Sequence, residues 1–202
     1  MLTRNNKIFL NILGTTLIIL AILAVYKTVK RGNLEGILWF CYLGLFLIGL
    51  GILIKNDTIL ASQLNILAIP LMVWAIDFFS YFLLGGRTIF GITEYMFIQG
   101  PIGEKIISLQ HIFTIPLSLY ALKLIKLKNN STWRVSIVQL IGLYLAVLIF
   151  TSPEENINCV YSSCINFLNT TQFYPLIWIF STILLIYSTN ILINKLFLTK
   201  AK

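Results

Sequence analysis

The chain has 202 residues, of which 58% are hydrophobic and 11% charged, with a formal net charge of +8. Globular domains carry roughly 25% charged residues, so the composition excludes a separate soluble domain and points to a single integral membrane domain over 1–202. The basic excess does not point to nucleic acid: Lys and Arg flank apolar stretches and form no basic patch with interleaved aromatics.

A membrane-crossing helix needs about 20 mostly apolar residues. The chain offers six such stretches, at 8–26, 34–54, 59–84, 106–127, 133–151 and 173–194, which predicts an all-α, polytopic transmembrane helix bundle. The first follows Arg4 and Lys7 in the manner of a signal peptide, but its apolar run is long and no A-x-A site follows, so a retained helix is expected. The third is long enough to tilt, or to start in the interface with Ser62, Gln63 and Asn65. Between the third and fourth, Gly85, Gly86, Gly91, Gly100, Pro101 and Gly103 break helix around an apolar stretch too short to span. An interfacial or re-entrant segment is predicted there.

Six spans put both termini and the 2–3 and 4–5 loops on one side. That side carries ten Lys and Arg, namely Arg4, Lys7, Lys55, Lys123, Lys126, Lys128, Arg134, Lys195, Lys200 and Lys202. The other carries five, Lys27, Lys30, Arg31, Arg87 and Lys105. The excess predicts cytoplasmic termini and an external 5–6 loop.

Polar and reactive residues inside spans are costly and mark candidate sites. Cys41, Asp77 and His111 each fall about 8–10 Å from the same end of their helices at 1.5 Å per residue. A thiol, a carboxylate and an imidazole at one depth suit acyl transfer: the imidazole takes the thiol proton and the carboxylate holds the imidazole in one tautomer. Two plainer readings compete. A membrane-helix Cys also serves as a small apolar residue, and an Asp–His pair also serves as a packing hydrogen bond. Cys41, Gly44 and Gly51 form a small-residue stripe for close helix approach. Pro116 should kink the fourth span just below His111.

Cys159 and Cys164, at C-x4-C spacing in an outward loop, predict a disulfide. Their spacing is not C-x-x-C, and no second pair exists to relay electrons. With one histidine and dispersed cysteines no metal site is expected, and no nucleotide or dinucleotide motif calls for a cofactor.

The segments LWFCYLGLFLIGLGIL (38–53), WAIDFF (74–79), GITEYMF (91–97), SLQHIFTIPLSLYAL (108–122) and NINCVY (156–161) resemble an uncharacterised family of prokaryotic multi-pass membrane proteins. That resemblance implies a shared fold and the plasma membrane of a prokaryote, and no activity. A second resemblance is to the androgen-induced transmembrane hydrolases and related integral-membrane acyltransferases. It implies Cys41 as nucleophile and His111, followed by Pro116, as the histidine segment; Asp77 has no counterpart in it. The expectation is therefore a lipid-directed acyl hydrolase or acyltransferase working from the bilayer on a lipid or acyl substrate. Arg87 and Glu94 would contact the head group, and Asn156 and Asn158 would donate to it from the 5–6 loop. The alternative is a non-catalytic membrane protein, either a small-solute transporter or a helix-packing partner.

Overall fold

A computed structural model describes residues 2–168 and 170–199. Seven α-helices account for most of them: α1 (Arg4–Lys30), α2 (Phe40–Leu53), α3 (Asp57–Leu83), α4 (Ile102–Ser108), α5 (Gln110–Ile125), α6 (Thr132–Phe150) and α7 (Tyr174–Phe197). Side-chain caps start two of the helices. Thr3 caps α1 by accepting from Asn6 N–H, and Asn56 caps α3 by accepting from Ile59 N–H. Among the described residues the only β pairing is an isolated bridge between Leu127 and Leu198.

The expected bundle is present, with α4 and α5 together forming its fourth column. Five columns, α1, α3, α4–α5, α6 and α7, are long and apolar enough to cross a membrane. The second predicted span, 34–54, differs. Its α-helix has only 14 residues, about 21 Å, and a separate 3-10 turn, Glu35–Leu38, precedes it. The interruption in the fourth column falls at Leu109, ahead of His111, while α5 continues through Pro116.

The central helix is α3, which packs on α2, α5, α6 and α7, whereas α1 packs chiefly on α2. Residues 60–68 of α3 are buried on every face. Leu60, Leu64 and Leu67 there join Leu45, Ile48 and Ile52 of α2, Leu122 of α5, Leu140 of α6 and Ile186 of α7 in one apolar core. The glycine stripe of α2 works as its sequence suggests. A Cβ at Gly44 would collide with the Leu67 side chain of α3, and one at Gly51 would lie 3.0 Å from the Leu60 nitrogen. A second close crossing escaped the pattern: a Cβ on Gly49 would lie 2.7 Å from the Gly14 carbonyl oxygen of α1.

Ser62, Gln63 and Asn65 lie inside the bundle. They are 0–2% exposed and tie α3 to α6 and α7. Gln63 and Gln139 exchange amide hydrogen bonds of 2.7 and 3.0 Å. Asn65 Nδ2 donates to Thr132, Ser136 and Asn190, and Thr132 Oγ1 donates to Asn190 at 2.9 Å. With no aqueous driving force between helices in lipid, such polar pairs, worth about 1 kcal/mol each, help select the packing.

Chain termini and alternate loops meet at one end. Asp57 accepts from Lys128 N–H and Asn129 N–H, Thr199 N–H donates to Leu127 C=O, and Phe9 packs edge-on against Tyr120. At the opposite end the 3–4 and 5–6 connections lie together: Asn166 N–H donates to Phe90 C=O, and a Cβ on Gly91 (φ +80°) would collide with the Asn166 amide. The 3–4 connection, where an interfacial or re-entrant segment is expected, leaves the regular helix of α3 at Leu84. Apart from a 3-10 turn, Glu94–Met96, it is irregular and folds back onto the last turns of α3, where Phe97 stacks on Tyr81 with ring centroids 3.5 Å apart.

Candidate functional site

The end formed by the 3–4 and 5–6 connections encloses a cavity of about 550 Å³, within the usual range for small-ligand sites. Cys41, in the first turn of α2, and His111, in the first turn of α5, both line it. Two parts of the chain far apart in sequence thus bring the thiol and the imidazole to one space.

The break before α2 is what sets the height of Cys41. Breaking a helix strands backbone groups that must be satisfied in an apolar setting. Asn158, from the 5–6 connection, does this directly: its Oδ1 accepts from Phe40 N–H at 2.8 Å and its Nδ2 donates to Leu38 C=O at 2.8 Å. Asn156 serves the connection itself, accepting from Tyr161 N–H and Ser162 N–H and donating to Ser162 C=O. Both amides are therefore occupied by backbone, and the head-group role expected for Asn156 and Asn158 gives way to a structural one. The same stretch bends sharply. Asn156, Asn158 and Cys159 have φ of 43°, 56° and 57°, a left-handed conformation costing non-glycine residues roughly 1–2 kcal/mol each. Cys159 and Cys164 are disulfide-bonded, as their spacing suggests, and both line the cavity.

Asp77 does not orient His111. Its carboxylate is fully buried and fully occupied: Phe90 N–H donates to Oδ1 at 2.6 Å, and Thr93 donates to Oδ2 through both its N–H (2.8 Å) and its hydroxyl (2.9 Å). It pins the 3–4 connection over the end of α3. The α3 residue that meets His111 is Trp74, one turn earlier, whose ring centroid lies 4.8 Å from the imidazole with the planes at 56°. The Trp74 indole N–H donates to Tyr95 Oη at 3.2 Å. Both nitrogens of His111 are buried and have no hydrogen-bond partner among the described residues.

Arg87 and Glu94 are exposed and outside the cavity wall; Glu94 instead lies 3.4 Å from both Thr88 and Asn166. The polar wall that sequence reasoning missed comes from Lys27 and Thr28 of α1, Glu104 and Ser108 of α4, and Gln110 of α5. Glu104 also forms an ion pair with Arg31. Trp39, Tyr42, Trp74 and Tyr95 supply the aromatic wall. One signal for α1 was available in the sequence: Lys27, Lys30 and Arg31 close the first span at the end where Cys41 and His111 were expected. Among the described residues no group of three His, Cys, Asp or Glu side chains is placed to hold a metal ion.

Fold and site together define a polytopic helical membrane protein with an aromatic-walled cavity at one end, carrying a thiol, an imidazole and a disulfide. Comparison with protein-family models, with curated proteins and with solved structures finds no match for the chain.

Proposed function

We propose that the protein is a lipid-directed acyl hydrolase or acyltransferase acting through a Cys41–His111 dyad, with the cavity on the external side of a prokaryotic plasma membrane. The observation that carries this reading is the convergence of Cys41 and His111 on one cavity, with both imidazole nitrogens free of hydrogen-bond partners among the described residues. A buried nitrogen without a partner costs folding free energy, and a proton acceptor for a substrate or a thiol gives that cost a use. In the reaction, the Cys41 sulfur attacks the acyl carbonyl while His111 takes the thiol proton. His111 then returns that proton to the leaving alcohol or amine. Water or a second acceptor hydroxyl releases the acyl group in the next half-reaction, again through His111.

Two further features fit. The aromatic wall suits an acyl chain, while Lys27 suits the anionic part of a head group. With Asp77 committed elsewhere, Trp74 takes over the task of holding the imidazole by packing. The ten-to-five distribution of Lys and Arg supports the external placement of the cavity.

The test is labelling of purified protein in lipid nanodiscs with an acyl-fluorophosphonate or acyl-thioester probe, followed by peptide mapping. Labelling should fall on Cys41 and disappear in Cys41→Ala and His111→Ala proteins that retain the wild-type melting profile. A Cys41 that stays unlabelled, or labelling indifferent to His111, would leave a non-catalytic binding or transport protein as the reading.

A further inference from the structure

The chain has three cysteines, and all three line the same cavity. Cys41 is a free thiol on α2, whereas Cys159 and Cys164 form the disulfide in the connection that precedes α7. An independent contact holds their chain segments together. Phe40, the residue before Cys41, donates its N–H to the side chain of Asn158, the residue before Cys159, at 2.8 Å, and Asn158 also donates to Leu38 C=O. The two chain segments are thus clamped together immediately next to the two sulfur-bearing residues.

Two more observations bear on chemistry. His111 lines the same cavity, and both its ring nitrogens are buried without a hydrogen-bond partner among the described residues, so accepting a thiol proton breaks no existing hydrogen bond. The loop around Cys159 is held at left-handed φ at three non-glycine positions, which favours any step that lets it relax. A thiol, a proton acceptor and a disulfide in one enclosed space are what thiol–disulfide exchange requires.

We propose that Cys41 exchanges with the Cys159–Cys164 disulfide, giving the cavity a second, sulfur-centred activity. The Cys41 thiol loses its proton to His111, and the resulting thiolate attacks the sulfur of Cys159. A Cys41–Cys159 bond forms as the Cys159–Cys164 bond breaks. Cys164 leaves as a thiolate and takes the proton back from His111. No electrons are gained or lost overall, so no external oxidant or reductant enters the step. Cys159 is the attacked sulfur because the Phe40–Asn158 clamp lies directly beside it. The consequence for acyl transfer rests on the function proposed above: in the exchanged form Cys41 is bonded, and the acyl nucleophile is switched off.

The experiment maps sulfur linkages in the full-length protein. Wild-type protein is held in glutathione buffers of graded poise, quenched with acid, alkylated with N-ethylmaleimide and digested without reduction. Peptides joining Cys41 to Cys159, with Cys164 alkylated, are expected alongside the resting pair. A Cys164→Ser variant treated with diamide should form the Cys41–Cys159 linkage within one chain and lose alkylation at both positions. The proposal is overturned if wild-type protein shows only the Cys159–Cys164 pair at every poise that leaves it oxidised. It is equally overturned if Cys164→Ser keeps both thiols alkylatable after diamide. The wild-type arm stands by itself should the variant fail to fold. Acyl-probe labelling of wild-type protein after phosphine reduction separates the two readings: no disulfide remains to exchange, and Cys41 is still labelled if the acyl function holds.

Discussion

The indole of Trp74 lies against the imidazole of His111, ring centroids 4.8 Å apart. It holds in place a histidine that, among the described residues, no carboxylate and no backbone group orients. Ring contacts of this kind add about 0.5–1.5 kcal/mol beyond the area they bury. Truncating a buried Trp costs about 3–5 kcal/mol in total. Trp74→Ala should therefore lower stability by that amount and broaden the His111 ring signals in spectra of protein carrying 15N-labelled histidine. Trp74→Phe keeps an aromatic face and loses only the bond to Tyr95, so its His111 signals should stay sharp. Sharp signals in Trp74→Ala would show that something else positions the ring.

Asp77 yields a prediction that separates architecture from catalysis. Its three hydrogen bonds all go to Phe90 and Thr93, and removing a buried charged acceptor of this kind costs roughly 3 kcal/mol or more. Asp77→Ala should accelerate amide hydrogen exchange at Phe90 and Thr93 and loosen the 3–4 connection. Hydrogen–deuterium exchange read by mass spectrometry measures this directly. Unchanged protection at those amides, together with complete loss of Cys41 labelling, would return Asp77 to the catalytic set.

Asn158 bridges the backbone on both sides of Trp39, with hydrogen bonds of 2.8 Å to Phe40 N–H and to Leu38 C=O. Asn158→Ala leaves both groups stranded, at about 1–3 kcal/mol for an unsatisfied buried group. The melting temperature should fall, and maleimide should reach Cys41 faster as the start of α2 frays. Asn158→Asp keeps the acceptor and loses the donor, so it should fall between wild type and Asn158→Ala. Equal reactivity of Cys41 in all three proteins would refute the role of the clamp.

Sidedness is open to a direct measurement. Reporter fusions after Asn130 and after Glu155 should read cytoplasmic and external, respectively, as the Lys and Arg excess at the end of the termini requires. Opposite readings would move the cavity to the cytoplasmic face.

A fifth test concerns the α1–α2 crossing, where the Gly14 and Gly49 backbones meet. A Cβ at Gly49 would sit 2.7 Å from the Gly14 carbonyl, closer than packing permits. Gly49→Leu should push α1 off α2, lowering stability by about 1–3 kcal/mol as overpacking does. Gly142→Leu, at a position where a Cβ meets nothing within 4 Å, should be neutral. Thermal unfolding in one detergent compares the two.

The six helical columns and their order follow from the sequence alone, because apolar runs of about 20 residues and the cost of an unpaired backbone in lipid leave few alternatives. So do the disulfide pair and the stripe from Gly44 to Gly51, since both depend on local spacing. The late start of α2 at Phe40 and the interruption at Leu109 do not. The shared cavity of Cys41 and His111 was legible only in part, since depth was counted along a span starting at 34, whereas α2 starts at Phe40 and Cys41 sits in its first turn. Facing direction could not be counted, and that is where tertiary structure decided the outcome. Asp77, at the right depth, turns to the backbone of its own connecting segment, and Trp74, one turn away, takes the imidazole. Asn156 and Asn158 satisfy a bent loop and a broken helix that no local pattern announces. Helix composition reports burial in lipid with little regard to azimuth, because lipid and protein interior are both apolar. Which face meets which neighbour is set by packing among all the helices at once.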